Sequence, residues 1–342
     1  MGQVTAPAWR SSCDRMGAGG LVMRALASAA VAAIVALAPA AAQAPEPFPS
    51  KPVHIVVGVG AGGLIDTFIR LLADPLQRQL GQPVIVENKL GSGGMIGARA
   101  VAEAKPDGYT LAATSPGTLP AALLHDPQPY TAANFTPVAL VLEGGSLIGI
   151  RAGTPVKTFA DFVTYGKANP GKLNYASSGV GSPTHLSIQY LADLVGIQMT
   201  HVPYKGNVPA MQALLQGEVD IAIVDALGFE QQIKSGQIYP LAQTSRLRAA
   251  NFPDVPTLPD LVAGFDAPFW LGLFAPAGTP PDIVTRINHD VNTVLASGMI
   301  DERAAKTGLV SRPLSPEAFA KYVREDTDRW ATVIKAHNIR AD

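Results

Sequence analysis

The sequence predicts an α/β protein of two domains with mainly parallel sheets. Three observations carry this reading. Short apolar strands alternate with helices that are apolar on one face, about 300 residues remain beyond an N-terminal signal, and Val138 to Arg151 is one extended stretch broken only by Gly144 and Gly145. The βα alternation implies parallel strands covered by helices. A chain of that length exceeds what one core usually holds, so two domains are expected.

The N-terminus has the order of a secretory signal. Arg24 precedes the apolar run Ala25 to Ala38, and Pro39-Ala40-Ala41-Ala42-Gln43-Ala44 supplies small residues for cleavage. At about 1.5 Å per residue the run reaches roughly 21 Å, short of about 30 Å of hydrocarbon. The alternative, a buried core helix, fits poorly with its near-absence of large side chains. Cleavage after Ala42 keeps Pro45 away from the cut bond, so residues 1–42 are assigned to the signal, with Met23 as the expected true start. The one cysteine, Cys13, precedes the signal, which leaves a mature chain without thiol or disulfide. A periplasmic protein is expected, and a monomer.

The net charge is −1, and losing Arg10, Arg15, Arg24 and Asp14 with the leader takes it to −3. That balance offers no nucleic-acid surface. The six histidines show no metal-ligand spacing.

The strands expected in order are Val53 to Val57, Val84 to Glu87, Thr110 to Thr114, Val138 to Leu142, Leu147 to Arg151, Leu173 to Ala176, Met199 to Pro203, Val219 to Val224, Tyr239 to Thr244 and Trp270 to Ala275. Between them the helical pattern covers Leu64 to Leu80, Gly94 to Ala104, Phe159 to Ala168, Thr184 to Val195, Val208 to Leu215, Phe229 to Ser235, Pro281 to Ala296 and Pro316 to His337. In the first helix apolar residues recur with a 3.6-residue period and Gly81 provides a stop.

The stretch through Gly144-Gly145 reads as a crossing between domains, and a return near Tyr239 to Ser245 puts the C-terminal third back on the first. Domain 1 is then 43–144 plus 243–342, and domain 2 is 145–242. The last helix presents Lys321, Arg324, Glu325, Asp326, Asp328 and Arg329 to solvent and is clamped by Phe319, Tyr322, Val323, Trp330 and Val333. Trp270 is expected on the hinge side of the cleft.

Two strand-to-helix corners carry the functional signal. Gly58-Val59-Gly60-Ala61-Gly62-Gly63 joins the first strand to the first helix, where unpaired helical N–H groups favour an anion. The corner also matches G-x-G-x-x-G, and Glu87 stands twenty-four residues after Gly63, as a ribose-binding acid would. A nicotinamide-dependent oxidoreductase is therefore an alternative reading, though it would have to operate outside the cytoplasm. The second corner, Tyr175-Ala176-Ser177-Ser178-Gly179-Val180-Gly181-Ser182-Pro183-Thr184-His185-Leu186, offers a Ser182 cap with Pro183 at the first helical position. Its alternative is a well-capped helix with no ligand. Hydrolase chemistry has no visible centre: there is no G-x-S-x-G elbow, no G-x-x-x-x-G-K-[ST] loop and no cysteine in the mature chain.

The chain resembles the extracytoplasmic receptors of tripartite tricarboxylate transporters, the TctC-like Bug proteins. The resemblance rests on Pro49-Ser50-Lys51-Pro52, Ala61-Gly62-Gly63 with Asp66, Gly91-Ser92-Gly93-Gly94-Met95-Ile96-Gly97, Lys105-Pro106-Asp107-Gly108-Tyr109-Thr110-Leu111, Ser178 to Leu186, Val202-Pro203-Tyr204-Lys205-Gly206, Gln216-Gly217-Glu218-Val219-Asp220 and Gly272 to Pro280. It implies a two-domain periplasmic binding protein, type II-like, of the Venus flytrap kind, with a C-terminal helix and no catalysis. A small organic carboxylate, whether dicarboxylate, tricarboxylate or aromatic acid, would sit between the domains and be presented to the membrane permease. A sensor kinase is the alternative partner, and no cofactor is implied.

By the same resemblance the ligand would meet Val59, Ala61, Gly62 and Gly63 on one side and Ser178, Gly179, Gly181, Ser182 and His185 on the other. Thr114, Ser115, Tyr204, Lys205 and Asp225 would line the remaining wall. Asp66 either accepts from an amine or hydroxyl of the ligand or ties down the glycine loop and complements the helix dipole. Lys205 is either a pocket charge or a solvated lysine, and His185 a structural hydrogen-bonding residue more readily than a metal ligand. Family members usually carry Pro-Phe where this chain has Gly58-Val59, so a wider entrance is expected and the dinucleotide match is read as accidental.

Overall fold

In the computed structural model, residue 2 and residues 47–91, 94–224 and 226–340 are described. The expected signal, Cys13 and Asp225 lie outside the described residues.

Val53–Val57 (β1) is flanked by two parallel strands, Val84–Asn88 (β2) and Thr110–Thr114 (β3). Its continuous apolar run is explained by burial on both faces. Val53, Ile55 and Val57 enter one core cluster while Val56 points into another. Leu64–Leu80 (α1) lays Phe68, Ile69, Leu72 and Leu76 on the first of these clusters. Met95–Ala102 (α2) covers the opposite face with Met95, Ala98 and Val101. A short turn of helix, Thr118–Ala121 (α3), follows β3.

Phe135–Gly144 (β4) leaves this sheet through Gly144-Gly145-Ser146, and Leu147–Arg151 (β5) opens a second one. The second sheet gathers Asn174–Ser177 (β6), Thr200–Pro203 (β7), Ile221–Val224 (β8) and Ile238–Gln243 (β9) in the order β7-β6-β8-β5-β9. Phe159–Ala168 (α4), capped by a Thr158–Asp161 box, and Pro183–Val195 (α5), capped by Ser182, pack on it with Asn207–Gln216 (α6) and Ala226–Lys234 (α7).

The return is drawn out. Ala249, Phe252 and Val255, then Leu258 of the short helix Leu258–Leu261 (α8), Val262, Phe265 and Ala267, all pack with the second sheet's clusters. The chain reaches the first sheet only with Phe269–Pro276 (β10), which inserts between β3 and β4. Pro281–Ala296 (α9), Asp301–Lys306 (α10), Leu309–Ser311 (β11) and Pro316–Ala336 (α11) complete the chain.

Both sheets are mixed, which corrects the expectation of mainly parallel strands. β10 runs antiparallel to β3 and β4, β11 antiparallel to β4, and β5 antiparallel to β8 and β9. Two of these reversed strands, β5 and β10, are the ones that carry the chain from one lobe to the other. Such strands enter a sheet from its far end, without the helical crossover that sets parallel order.

α11 belongs to both lobes. Phe319 and Val323 pack with Trp270 and Phe274 of β10, whereas Trp330, Val333 and Ile334 join the cluster of the second sheet. Between these halves lies a polar band: Tyr322 Oη donates to Glu143 Oε1 (2.8 Å), Arg312 pairs with Glu143, and Trp270 Nε1 donates to Asp326 Oδ2 (3.0 Å). Asp326 is only 1% exposed and so is not on the solvated face the sequence suggested. Burial pushes its carboxyl up from 3.8 to about 6, against the pull of Arg329 and Trp270. Asp326 thus holds a proton in the folded protein where the unfolded chain has lost it, so stability falls as pH rises from about 4 through 6. Asp326→Asn keeps an acceptor for Trp270 and should flatten that decline, an effect on the order of 2 kcal/mol between pH 4 and 7 in urea unfolding; a variant with the wild-type pH slope would contradict this account.

Candidate functional site

The C-terminal ends of β1, β3, β6 and β8, together with the starts of α1, α2, α5 and α6, surround a cleft of about 1020 Å³. Ligand crevices in open α/β sheets lie at this strand end.

The first corner is held by buried polar groups. Gly62 N–H donates to Asp66 Oδ2 (2.8 Å), Asn88 Nδ2 to Asp66 Oδ1 (2.8 Å) and to the Val59 carbonyl (2.9 Å), and Arg70 Nε to both Asp66 oxygens (3.0 Å each). Arg70 and the other donors hold the Asp66 carboxyl down at about 2, below the usual 3.8. Asp66 is 1% exposed and does not line the cleft, so it ties down the loop. Gly62 and Gly63 spend their N–H groups inside the turn, on Asp66 and on the Gly60 carbonyl (3.2 Å). Left without a partner among the described residues are the N–H groups of Ala61, Leu64 and Ile65. Gly63 caps α1 with no side-chain hydrogen bond, so nothing among the described residues covers them.

Gly58, half of the apparent dinucleotide fingerprint, has a packing cause. A Cβ there would come within 2.6 Å of Gly94 Cα, where the loop before α2 crosses the corner. Glu87 accepts from His54 Nδ1 (2.5 Å), stands near Lys89 and does not line the cleft. The pair that suggested a nucleotide site therefore separates into one backbone crossing and one surface ion pair.

The second corner rests on a ring stack. His185 lies 3.8 Å from His201, centroid to centroid, and His201 lies 4.9 Å from Tyr175. Burial drives both imidazoles down, His185 to about 3 and His201 to about 4, so both are neutral at ordinary pH. His185 Nδ1 accepts from Gly181 N–H (3.0 Å), and Ser177 Oγ, bonded to His201 Nε2 (2.6 Å), accepts from Gly179 N–H (3.1 Å). The expected donors Gly179 and Gly181 are thus consumed in holding the loop, and His185 is structural. Gly181 has φ +71°, and a Cβ there would lie 1.8 Å from Leu124 Cδ1. What faces the cleft is a set of hydroxyls: Ser178, Ser182 and Thr184, the last bonded to Ser178 N–H (2.9 Å) and within 3.1 Å of both serine oxygens.

Of the residues expected at the site, Val59, Ala61, Gly63, Ser115, Ser178, Gly179, Gly181, Ser182 and Lys205 line the cleft. Gly62, Asp66, Thr114, His185 and Tyr204 do not. Thr114 is buried and donates to the Ser115 carbonyl (3.3 Å), and Tyr204 Oη turns away to Glu218 (3.2 Å). Thr184, Ser146, Thr244 and the start of α6 at Asn207 and Val208 were not anticipated. Ser146 at the outgoing crossing and Thr244 just after β9 are bonded to each other through Ser146 N–H to Thr244 Oγ1 (3.0 Å) and Thr244 N–H to the Ser146 carbonyl (2.9 Å). Trp330 lines the cleft, while Trp270 is buried in the first lobe and does not.

The family of tripartite tricarboxylate transporter receptors, TctC, matches residues 68–339. The chain belongs to this family. Among TctC-like relatives, the UPF0065 protein in the gbd 5'region of Cupriavidus necator is 37% identical over 322 residues, 92% of this chain and 96% of the relative. MatC (Rpa3494) from Rhodopseudomonas palustris with bound malate is 35% identical with a TM-score of 0.72, spanning 84% of this chain and 100% of that one. R. palustris Rpa4515 with adipate is 31% identical with a TM-score of 0.74, spanning 86% and 99%. The two-domain periplasmic binding-protein fold expected from the sequence is the TctC fold.

Asp66→Asn should destabilise the protein by about 2 kcal/mol by leaving buried donors poorly matched. The carboxylate's contribution is in place above about pH 4 and is lost as pH falls from 4 towards 2, so the wild type should lose more stability than the variant across that window. Denaturant unfolding at pH 2.5 and 6 checks both statements.

Proposed function

We propose that this protein is a periplasmic receptor that captures a small organic carboxylate between its lobes and delivers it to the membrane permease of a tripartite transporter. The first lobe comprises 48–144 and 268–315, the second 145–267, and α11 ties the two. The observation that carries this reading is the convergence of uncapped helix starts on one cleft. Gly63 before α1, Gly94 before α2 and Gly206 before α6 offer no side-chain cap. Backbone N–H groups at such ends have no intrahelical partner and carry positive potential, which a carboxylate satisfies.

The first lobe contributes N–H groups at Ala61, Leu64 and Ile65, and the second contributes the hydroxyls of Ser178, Ser182 and Thr184 with Lys205. Each charge-assisted bond is worth about 1.5 to 3 kcal/mol, and micromolar binding needs about 8 kcal/mol net of association costs. One lobe falls short of that, so the ligand stabilises the closed arrangement in which both donor sets reach it. The permease would recognise that closed form. Malate and adipate in the related structures are acids of the class this donor set suits.

Thermal unfolding in the presence of a panel of organic acids tests the reading. A bound acid at a hundred times its Kd adds about 2.7 kcal/mol, enough to raise Tm by about 5 °C. Thr184→Val, which removes one hydroxyl without changing size, should weaken the best acid about tenfold. A Tm that responds to NAD and to no acid would overturn the receptor assignment in favour of the oxidoreductase.

A further inference from the structure

Resting on the carboxylate reading, we propose that Thr184 is a positioning residue that makes Ser178 and Ser182 alternative donors to the ligand, so that the second corner offers one full hydroxyl hydrogen bond and delivers it from either serine. The observation behind this is a chain of hydroxyls centred on one oxygen. Thr184 Oγ1 accepts from Ser178 N–H (2.9 Å) and lies 3.1 Å from both Ser178 Oγ and Ser182 Oγ. Ser178, Ser182 and Thr184 all line the cleft.

A hydroxyl has one proton and two lone pairs. At Thr184 one lone pair is filled by Ser178 N–H, which leaves one proton and one lone pair for the two serine neighbours. Thr184 therefore donates to one serine and accepts from the other. The serine that receives the Thr184 proton keeps its own proton for the cleft, and the serine that gives its proton to Thr184 has none to spare. When Thr184 donates to Ser182, Ser182 serves the ligand; when the hydroxyls rotate together so that Thr184 donates to Ser178, Ser178 does. Both arrangements contain the same number of bonds. Thr184 is saturated in each, so its part in binding passes through the serines.

A carboxylate can draw on the second serine as well, but only by breaking that serine's bond to Thr184. The gain from the second donor is thus offset in part, while the gain from the first is not. The backbone keeps both serines in place for this exchange. Ser182 Oγ caps α5 by accepting from His185 N–H (3.3 Å), and the Ser178 N–H is anchored on Thr184 itself. Losing one serine should then cost little, because the other takes over the full bond, whereas losing both removes it.

Calorimetry on the purified protein tests this, with whichever of malate, adipate, citrate and benzoate raises the wild-type Tm most. Ser178→Ala and Ser182→Ala should each weaken that acid about threefold, and the double variant about a hundredfold, well beyond the product of the two. In the Thr184→Val background the link between the serines is gone, and the same two substitutions should become additive. Thr184→Ser, which keeps the hydroxyl, should preserve the excess. Ser182→Ala also removes the α5 cap and lowers Tm, so affinity, measured well below the lowest Tm of the set, is the readout. Single effects that multiply to the double in the wild-type background, or an excess that persists in the Thr184→Val background, would overturn the inference and leave the carboxylate receptor standing, as would an affinity that the double variant does not change. If none of the four acids binds, and the wider acid panel also leaves Tm unmoved, the receptor reading falls and this inference falls with it.

Discussion

An α-helix cannot satisfy its own first N–H groups, and in this protein glycine corners leave several such ends bare toward the same space. Side chains that would normally cap them are missing at Gly63, Gly94 and Gly206. The rest of the architecture follows from keeping those ends in register. Asp66, Asn88 and Arg70 brace one corner from beneath, and His185, His201 and Ser177 brace the other. Neither brace lines the cleft, yet each decides which backbone donors remain available.

The braces also explain why residue identity alone misjudged the site. Gly179, Gly181, Gly62 and His185 stand in the right corners, and the corners were legible from the strand, glycine and helix order. Which N–H groups are spent internally depends on side chains brought in from elsewhere. His201 comes from β7 and Asn88 from the end of β2, and neither position carries a sequence signal for such a task. Asp66 was open to two readings because an acidic residue in a first helical turn suits both a ligand and a loop. Only its burial and its bonds to Arg70 and Asn88 separate them.

The fold was legible to a greater depth. β1, β3 and β5, with α1, α4 and α9, match the expected bounds residue for residue. Their signals are strong: continuous apolar runs, one-face periodicity and glycine or proline stops. β11 was missed because three residues, one of them the exposed Val310, give no pattern. Strand direction was missed for a different reason. Alternation of elements suggests parallel order, but a chain that passes between two lobes inserts strands from the opposite end, and no local property of β10 records this. The segment 249–267 reads as loop because Pro253, Pro256 and Pro259 mask the spacing of Phe252, Val255 and Leu258, which nonetheless find the second core.

The placement of β10 bears on how the polypeptide is made. This strand lies in the interior of the first sheet, between β3 and β4, yet it is synthesised after the whole second lobe. Until Pro276 has left the ribosome the earlier strands have a vacant lane between them, and until α11 follows, the two cores share no common helix. Contacts so distant along the chain form slowly. The first sheet is therefore completed only near the end of synthesis, after the second sheet already has all its strands.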